Sequence, residues 1–180
     1  MTDRFGAPCS ASSSRLATAG DERAELKFAA DLNLGTLARW LRILGYDTRF
    51  DRGDADRTFL RRAQQEDRIV LTRKREAAKR QFRGRLIVIQ NDHVRRQLAE
   101  VMDTLSLRMD MERFHRRCAI CNALLMDVSA GDVEGRVPDY VYHQSGPFRR
   151  CPDCGKVYWF GTHREMALAF LRQHTRVHLP

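Results

Sequence analysis

Two Cys-x-x-Cys pairs constrain the fold more than any other feature of this 180-residue sequence. They are Cys118-Ala-Ile-Cys121 and Cys151-Pro-Asp-Cys154, with residues 122–150 between them. Each pair predicts a tight turn that places two thiolates on one side, and two such turns complete a tetrahedral zinc site with Zn–S distances of about 2.3 Å. A redox dithiol is the alternative, but two pairs in one loop-rich segment favour the metal. Because four thiolates leave no open coordination position, we expect a structural zinc ion.

The remaining cysteine and the flanking sequence indicate a cellular compartment. Cys9 makes the cysteine count odd, at five, which argues against a disulfide framework. The first 25 residues contain no continuous apolar stretch of the kind that a secretory signal needs. No apolar run in the chain approaches the ~18–20 residues of a membrane span. We therefore expect a cytoplasmic protein without a membrane partner.

Short apolar runs alternate with segments of helical periodicity through the first two thirds of the chain. The apolar runs predict strands at 26–30, 69–72 and 86–89, and a further short strand is predicted at 46–50. The periodic segments predict helices at 34–44, 56–67, 75–83 and 92–105, with Gly45 ending the first of them. This alternation is typical of an α/β fold with a mostly parallel sheet and helices on both faces. Ligands of such folds bind beyond the carboxyl ends of the strands.

The composition of the chain changes twice, which predicts three regions. Residues 1–24 are rich in Ser, Ala, Thr and Gly without periodicity, and we expect a disordered tail. Residues 25–110 form the α/β domain. Residues 111–180 form the zinc module, with a short C-terminal helix that begins at a capping box of Thr162 and Glu165.

Positive charge is concentrated in one part of the sequence. Residues 57–96 contain thirteen Lys and Arg and four Asp and Glu, and thirteen minus four equals the net charge of +9 for the whole chain. A concentrated basic region favours a polyanionic partner, most often nucleic acid. The alternative is a solvated basic surface without a partner. We expect nucleic acid as the partner and no small-molecule cofactor.

The predicted strand ends gather polar side chains at one edge of the sheet. Carboxylates beside cations at such an edge are typical of a Mg²⁺ or Mn²⁺ site next to a phosphate backbone. Helix capping is the alternative role for Asp31, Asp54 and Asp56. The catalytic candidates are Asp31, Asp54, Asp56 and Asp92. The RNA-binding candidates are Arg39, on the first helix, and Thr72, Arg73, Lys74, Arg75 and Asn91.

Four stretches of the sequence together resemble a known family. They are KFAADLNLGTLARWLRILGYDTRF, RIVLTRKR, RCAICN and CPDCGKVYWFGTH. Over residues 26–171 the chain resembles the Mut-seven C-terminal RNase family, a PIN-like nuclease domain followed by a zinc ribbon. The resemblance implies a metal-dependent endoribonuclease with Asp31 and Asp56 as Mg²⁺ or Mn²⁺ ligands and Asp54 as a competitor for the second position. PIN-like domains often pair, so a homodimer is also expected.

One position departs from the family pattern. The family usually has Leu-Thr-Arg-Asp at the end of the third strand, and here Lys74 takes the place of the aspartate. Either the site works with fewer carboxylates, or the ammonium of Lys74 replaces a metal charge and pairs with Asp31, or this chain no longer cleaves. The sequence therefore predicts a metal-dependent endoribonuclease. The alternatives are an RNA-binding protein that retains the nuclease fold without cleavage, and a zinc-ribbon module that binds a protein partner.

Overall fold

The computed structural model describes residues 26–107, 109–144, 146–159 and 169. The predicted tail, Cys9 and nearly all of the predicted C-terminal helix lie outside the described residues. Within the described part of the chain, no helix is both long enough and apolar enough to cross a membrane.

The predicted parallel sheet is present and has four strands in the described residues. The strand order is β2-β1-β3-β4, and all pairs are parallel. Since β1 lies between β2 and β3, the chain switches direction across the sheet at β1, which opens a crevice at the carboxyl ends of β1 and β3. The strands are β1 (Lys27–Ala30), β2 (Asp47–Phe50), β3 (Arg68–Thr72) and β4 (Leu86–Val88).

Helices cover both faces of this sheet, as the alternating pattern predicts. On β1, Phe28 and Ala30 point into one hydrophobic cluster and Ala29 points into the other. The first cluster is closed by α1 and α4, and the second by α2 and α3. Burial of both faces explains why the central strands β1 and β3 are apolar after their first residue, apart from Thr72 at the end of β3. The helices are α1 (Gly35–Ile43), α2 (Arg57–Gln65), α3 (Arg75–Ala78) and α4 (Val94–Leu105).

Gly45 ends the first helix as the sequence predicts. The N–H of Gly45 donates to Arg42 O at 2.9 Å and that of Tyr46 donates to Leu41 O at 2.9 Å, which is a Schellman motif. Gly45 has φ +93°, and a Cβ there would lie 2.5 Å from Arg113 O. Only glycine satisfies both conditions.

The third helix is shorter than predicted. The sequence predicts a helix over 75–83, and the C-terminal end of that prediction is wrong. The helix α3 stops at Ala78, and residues 81–83 are irregular. Phe82 turns back to pack against the second hydrophobic cluster, and its ring lies over Gly84, where a Cβ would come 2.4 Å from Cζ. Tertiary burial of Phe82 therefore overrides the local helical pattern.

The cysteine-containing region is built on a second, antiparallel sheet of order β5-β6-β7. Its strands are β5 (Met126–Val128), β6 (Phe148–Arg150) and β7 (Val157–Trp159), and a short helix α5 (Asp139–Gln144) precedes β6. Val133, Val137, Val141 and Phe148 form its own small core. Phe114 is buried in the first cluster of the α/β domain, so the two modules share a packed interface. The predicted boundary near residue 111 stays a prediction.

Candidate metal centre and nucleic-acid interface

The four paired cysteines converge on one point. Among the described residues they form the one group of three or more Cys, His, Asp or Glu side chains whose ligand atoms all lie within 4.8 Å of one another. Cys118 Sγ lies 3.6 Å from Cys154 Sγ, and Cys121 Sγ lies 3.2 Å from Cys151 Sγ. A tetrahedral zinc–thiolate site needs sulfur separations of about 3.8 Å. The cluster can therefore hold a zinc ion after only a small expansion.

The protonation of these thiols shows how crowded the cluster is. Burial acts to raise the pKa of Cys118, but hydrogen bonds from Tyr158 Oη and from backbone N–H groups outweigh it and bring that pKa to about 6. Burial and the neighbouring sulfurs raise the pKa of Cys121 to about 12. The Cys118 thiolate thus forms easily, and its negative charge disfavours ionisation of the neighbouring thiols. A bound divalent cation would remove this repulsion.

Asn122 and Gly155, the residues after each pair, adopt the left-handed backbone that such turns need. Asn122 has φ 78° and Gly155 has φ 72°. Asn122 N donates to Cys118 O at 2.9 Å, and Gly155 N donates to Cys151 O at 3.0 Å. Both residue types tolerate positive φ, so the local sequence favours these turns before any tertiary contact forms.

A buried arginine joins the first cysteine turn to the α/β domain. Arg42 on α1 is 5% exposed and donates from Nε to Thr48 O at 2.8 Å. Its Nη1 donates to Ala119 O at 3.2 Å and to Ile120 O at 2.6 Å. Burial lowers the pKa of Arg42, and the charges of Cys118 and Cys121 oppose this effect. A tetrathiolate zinc site keeps net negative charge, which the guanidinium partly offsets.

A second set of polar contacts supports the same junction. Asn122 Oδ1 accepts from Thr48 N at 3.0 Å, and Asn122 Nδ2 donates to Asp47 Oδ1 at 2.9 Å. Arg68 Nη1 donates to the same Asp47 oxygen at 2.6 Å. Burial acts to raise the pKa of Asp47, but the hydrogen bonds of Arg68 and Asn122 outweigh it and hold that pKa below its usual value. The junction is therefore a network with a charged group on each side.

At the other end of the sheet, Asp31 lies in the crevice between β1 and β3. Its side chain is fully buried, and Oδ2 accepts from Thr72 Oγ1 at 2.5 Å. Oδ1 accepts from Asn33 N at 3.1 Å, which caps a short 3-10 turn, Leu32–Leu34. Thr72 Oγ1 in turn accepts from Lys74 N at 3.0 Å. Asp31 therefore has the capping role that the sequence left open as an alternative, and it also lies at the carboxyl edge of the sheet.

The loop 51–56 is tied to the same edge. Leu32 N donates to Gly53 O at 3.1 Å, and Asp51 N donates to Ala30 O at 2.9 Å. The ammonium of Lys74 lies 2.5 Å from Asp54 Oδ2. Lys74 therefore pairs with Asp54, whereas the sequence suggested Asp31 as its partner. These contacts bring Asp31, Asp54, Thr72 and Lys74 to one edge of the sheet.

The remaining candidates are spread along and beyond this edge. Arg73 pairs with Asp92, whose side chain is 77% exposed, and Arg75 Nη2 donates to Gln90 Oε1 at 3.1 Å. Asn91 Nδ2 donates to Glu100 Oε2 at 2.7 Å. Asp56 is exposed and its Oδ1 accepts from Phe59 N at 2.8 Å, so it caps α2. Arg39 is exposed on α1.

The cysteine turns, the β1/β3 crevice and its buried aspartate can now be compared with known proteins. A family model described as Mut7-C RNAse domain matches residues 26–171. The chain belongs to this family. No curated protein and no solved structure gives a significant match. Membership in the Mut7-C RNAse domain family indicates a nuclease-like function.

The acidic residues of this Mut7-C chain offer suitable donors for a hard cation, but the arrangement is partly closed. Mg²⁺ needs one or two carboxylates and keeps several waters, and each carboxylate has about four lone-pair sites. Asp31 has no exposed surface, and Lys74 already occupies an oxygen of Asp54. The donors therefore fit a divalent ion on two conditions. Lys74, whose side chain is 44% exposed, must move off Asp54, and the groups that cover Asp31 must open.

Sequence reasoning missed the role of Arg42 in this Mut7-C chain. Arg39, the candidate on the same helix, is exposed, whereas Arg42 is buried. The available signal was spacing, since Arg42 lies four residues after Ala38 on the buried face of α1. A cation on that face needs acceptors from elsewhere, and the first cysteine turn supplies them.

Proposed function

We propose that this protein is an endoribonuclease that hydrolyses RNA phosphodiester bonds at the carboxyl edge of its parallel sheet, with Mg²⁺ or Mn²⁺ as cofactor. The observation that carries the proposal is the position of Asp31, which is buried in the β1/β3 crevice and hydrogen-bonded to Thr72. This is the location where α/β sheets bind their ligands. The cations that follow Thr72 on the chain supply the charge that a phosphate backbone needs.

The side chains at the edge take distinct roles in this proposal. Thr72 fixes the orientation of the Asp31 carboxylate through a 2.5 Å hydrogen bond. Arg73 and Arg75, both exposed, bind the flanking phosphates after exchanging their present partners, Asp92 and Gln90. Asn91, at the neighbouring strand end, positions a water molecule or a phosphate oxygen. Asp92 becomes free of Arg73 when that arginine binds a phosphate, and its carboxylate can then face the reacting water.

A divalent ion would be held by Asp31 together with Asp54 or Asp56, and when bound it would supply an activated water and charge for the phosphate oxygens. Lys74 competes with that ion for Asp54, because its ammonium lies 2.5 Å from Asp54 Oδ2. The approach of an RNA phosphate gives the ammonium an alternative anion. Substrate binding thereby favours the arrangement in which the carboxylates are free.

The Lys74–Asp54 pair also favours a second candidate function, RNA binding without cleavage. A protonated lysine cannot ligate a metal ion, and here it replaces the carboxylate that the family usually has. If the ammonium stays on Asp54, the edge keeps its cationic surface and lacks a metal site. In that case the chain retains the nuclease fold as an RNA-binding scaffold.

One set of RNA assays separates the two functions. The purified zinc-loaded protein is incubated with single-stranded and structured RNA in Mn²⁺, in Mg²⁺ or without either ion, and cleavage and binding are measured together. We expect metal-dependent cleavage that is lost in Asp31→Asn. Lys74→Asp restores a carboxylate and should raise cleavage at low metal concentration, because it also frees Asp54. Arg96→Asp, on the exposed side of α4, is the control for the same charge change.

The outcomes are distinct. Tight, salt-sensitive RNA binding without cleavage by the wild type, with cleavage appearing in Lys74→Asp, would establish the second function and overturn the first. Thermal unfolding of each variant shows whether a loss of activity is a loss of fold. An absence of any salt-sensitive RNA binding would overturn both functions and leave the protein-binding zinc module.

The proposal includes a zinc ion in the cysteine cluster and a cytoplasmic location. Sulfur separations of 3.2 and 3.6 Å, together with the left-handed residues after each pair, support zinc. Four cysteines kept as thiolate ligands are typical of a reducing compartment. Metal analysis should find about one zinc per chain. The homodimer stays a prediction, which light scattering would test.

A further inference from the structure

A basic groove runs along the face of the α/β domain that carries α2. It has a volume of about 790 Å³ and lies between α2 and the segment that follows α3. Of its nine lining residues, three are glutamines, two are apolar and none is acidic. The four that carry positive charge are Arg57, Arg61, Lys79 and Arg80.

The helix that forms one wall concentrates cations at a cost to its own stability. Arg57 and Arg61 are four residues apart, so their charges face each other along α2, and like charges at this spacing destabilise a helix. Arg57 also lies in the first turn, where the helix dipole disfavours a cation. The helix has no acidic residue, and neither arginine makes a hydrogen bond or ion pair with a described residue. Local choices that oppose stability in this way are typical of binding surfaces.

The groove reaches the catalytic edge. Arg80 Nη1 donates to Ala55 O at 3.2 Å, and Ala55 stands between Asp54 and Asp56 in the loop 51–56. Asp54 is the partner of Lys74 at the edge. A chain lying in the groove would therefore continue directly to the crevice that contains Asp31.

We propose that this groove binds single-stranded RNA and leads it to the sheet edge, an inference that rests on the proposed function. The cations bind successive phosphates. Gln64, Gln65 and Gln81 offer both donors and acceptors to base edges, and Phe82 offers an aromatic surface for stacking. In an RNA duplex the bases are stacked inside, so neither contact would form. An acidic protein would use the cations alone and would leave the amides and the ring without a role.

The test measures binding without cleavage. A labelled twelve-nucleotide oligouridylate is titrated without added Mg²⁺ or Mn²⁺, so that cleavage is avoided and the zinc is retained, over a range of salt concentrations, and fluorescence anisotropy gives the dissociation constant. Arg57→Gln/Arg61→Gln should weaken binding and reduce the slope of log K against log salt by about 1.4, since each phosphate contact to a single strand contributes about 0.7. Its melting temperature should not fall, because a like-charge pair is removed. Arg96→Gln/Arg136→Gln removes the same charge from exposed positions elsewhere and should keep the wild-type slope.

Two further measurements identify the occupant. An abasic oligomer should bind the wild type less tightly than oligouridylate does, and Phe82→Leu should narrow that difference while leaving the salt slope unchanged. A duplex of equal length should be insensitive to Arg57→Gln/Arg61→Gln. A polyglutamate peptide that binds through these arginines while RNA does not would overturn the RNA assignment in favour of an acidic protein.

Failure of the groove and failure of the proposed function give different results. Suppose that the wild type binds oligouridylate and that Arg57→Gln/Arg61→Gln shows the same slope of log K against log salt as the control variant. The groove assignment is then overturned, while RNA binding at the sheet edge stands. If wild type binds no RNA at any salt concentration, the proposed function fails and the groove assignment fails with it.

Discussion

The cysteine cluster and the acidic edge are both candidate metal sites, and they are built in opposite ways. The four sulfurs lie within 4.8 Å of one another and have no cationic side chain between them. At the edge, each carboxylate already has another partner: Asp31 has Thr72, Asp54 has Lys74, and Asp56 has a backbone N–H. The first site is arranged for an ion, whereas the second must exchange contacts before an ion can bind.

The difference follows from how far apart the ligands are along the chain. Each cysteine pair closes within one turn, and the left-handed residue after it fixes that turn locally. The edge instead joins the ends of β1 and β3 and the loop after β2, so its geometry depends on the whole sheet. The pairing of Lys74 with Asp54 is one such contact, because it depends on the end of β3 and on the path of the loop 51–56.

Removal of one cysteine should produce the largest effect and would sharpen the contrast. Cys118→Ser should reduce the zinc content from about one per chain to near zero, because three thiolates and an alcohol bind zinc far more weakly. The module of β5, β6 and β7 should unfold, since its own core contains four buried hydrophobic side chains among the residues that the structure describes. Metal analysis and near-UV circular dichroism, which reports on Trp159 and Tyr158, measure both effects.

The α/β domain should remain folded in this variant, with reduced stability. Arg42 loses the two carbonyl acceptors that the cysteine turn provides, while its bond to Thr48 O is kept. Cys9→Ser, in the leading region, serves as the control for loss of a thiol. Wholesale loss of the parallel sheet in Cys118→Ser would contradict the separation of the two modules.

The sequence predicted most of the fold because each element carried its own signal. Apolar runs predicted β1, β3 and β4, a short strand was predicted at β2 as well, and Gly45 indicated the end of α1. The span of α3 could not be predicted, because its end depends on Phe82 returning to the core over Gly84. Local patterns therefore identify an element, and tertiary contacts decide where it stops.

The candidate sites were predictable to different extents for the same reason. Spacing alone identified the four cysteines. The edge residues could be assigned to one rim from the strand order, but the choice of Asp54 over Asp31 as the partner of Lys74 requires the path of the loop 51–56. The link through Arg42 joins residues 77 and 78 positions apart in sequence, and no local pattern reports such a contact.

Loss of Arg42 should have the next largest effect and tests whether the two modules depend on each other. Arg42→Ala leaves the carbonyls of Thr48, Ala119 and Ile120 without their donor in a buried position. We expect the free energy of unfolding to fall by about 3 kcal/mol. Urea denaturation of the zinc-loaded protein measures this change. Arg39→Ala, on the exposed side of the same helix, should change it by less than about 0.5 kcal/mol. Equal effects for the two variants would show that the modules are energetically independent.

The smallest expected effect concerns Asp47, where the junction depends on pH. Its pKa in the folded protein lies below the ordinary value of an aspartate, because hydrogen bonds from Arg68 and Asn122 outweigh burial. The ionised carboxylate therefore stabilises the folded state above pH 4, and this contribution is lost as pH falls through the lowered pKa. Asp47→Asn should cost about 1 kcal/mol at pH 7. The difference in melting temperature between wild type and variant should shrink as pH falls from 5 to 3. Zinc release affects both proteins alike, so a difference that stays constant over this range would mean that the ionised carboxylate contributes nothing at the junction.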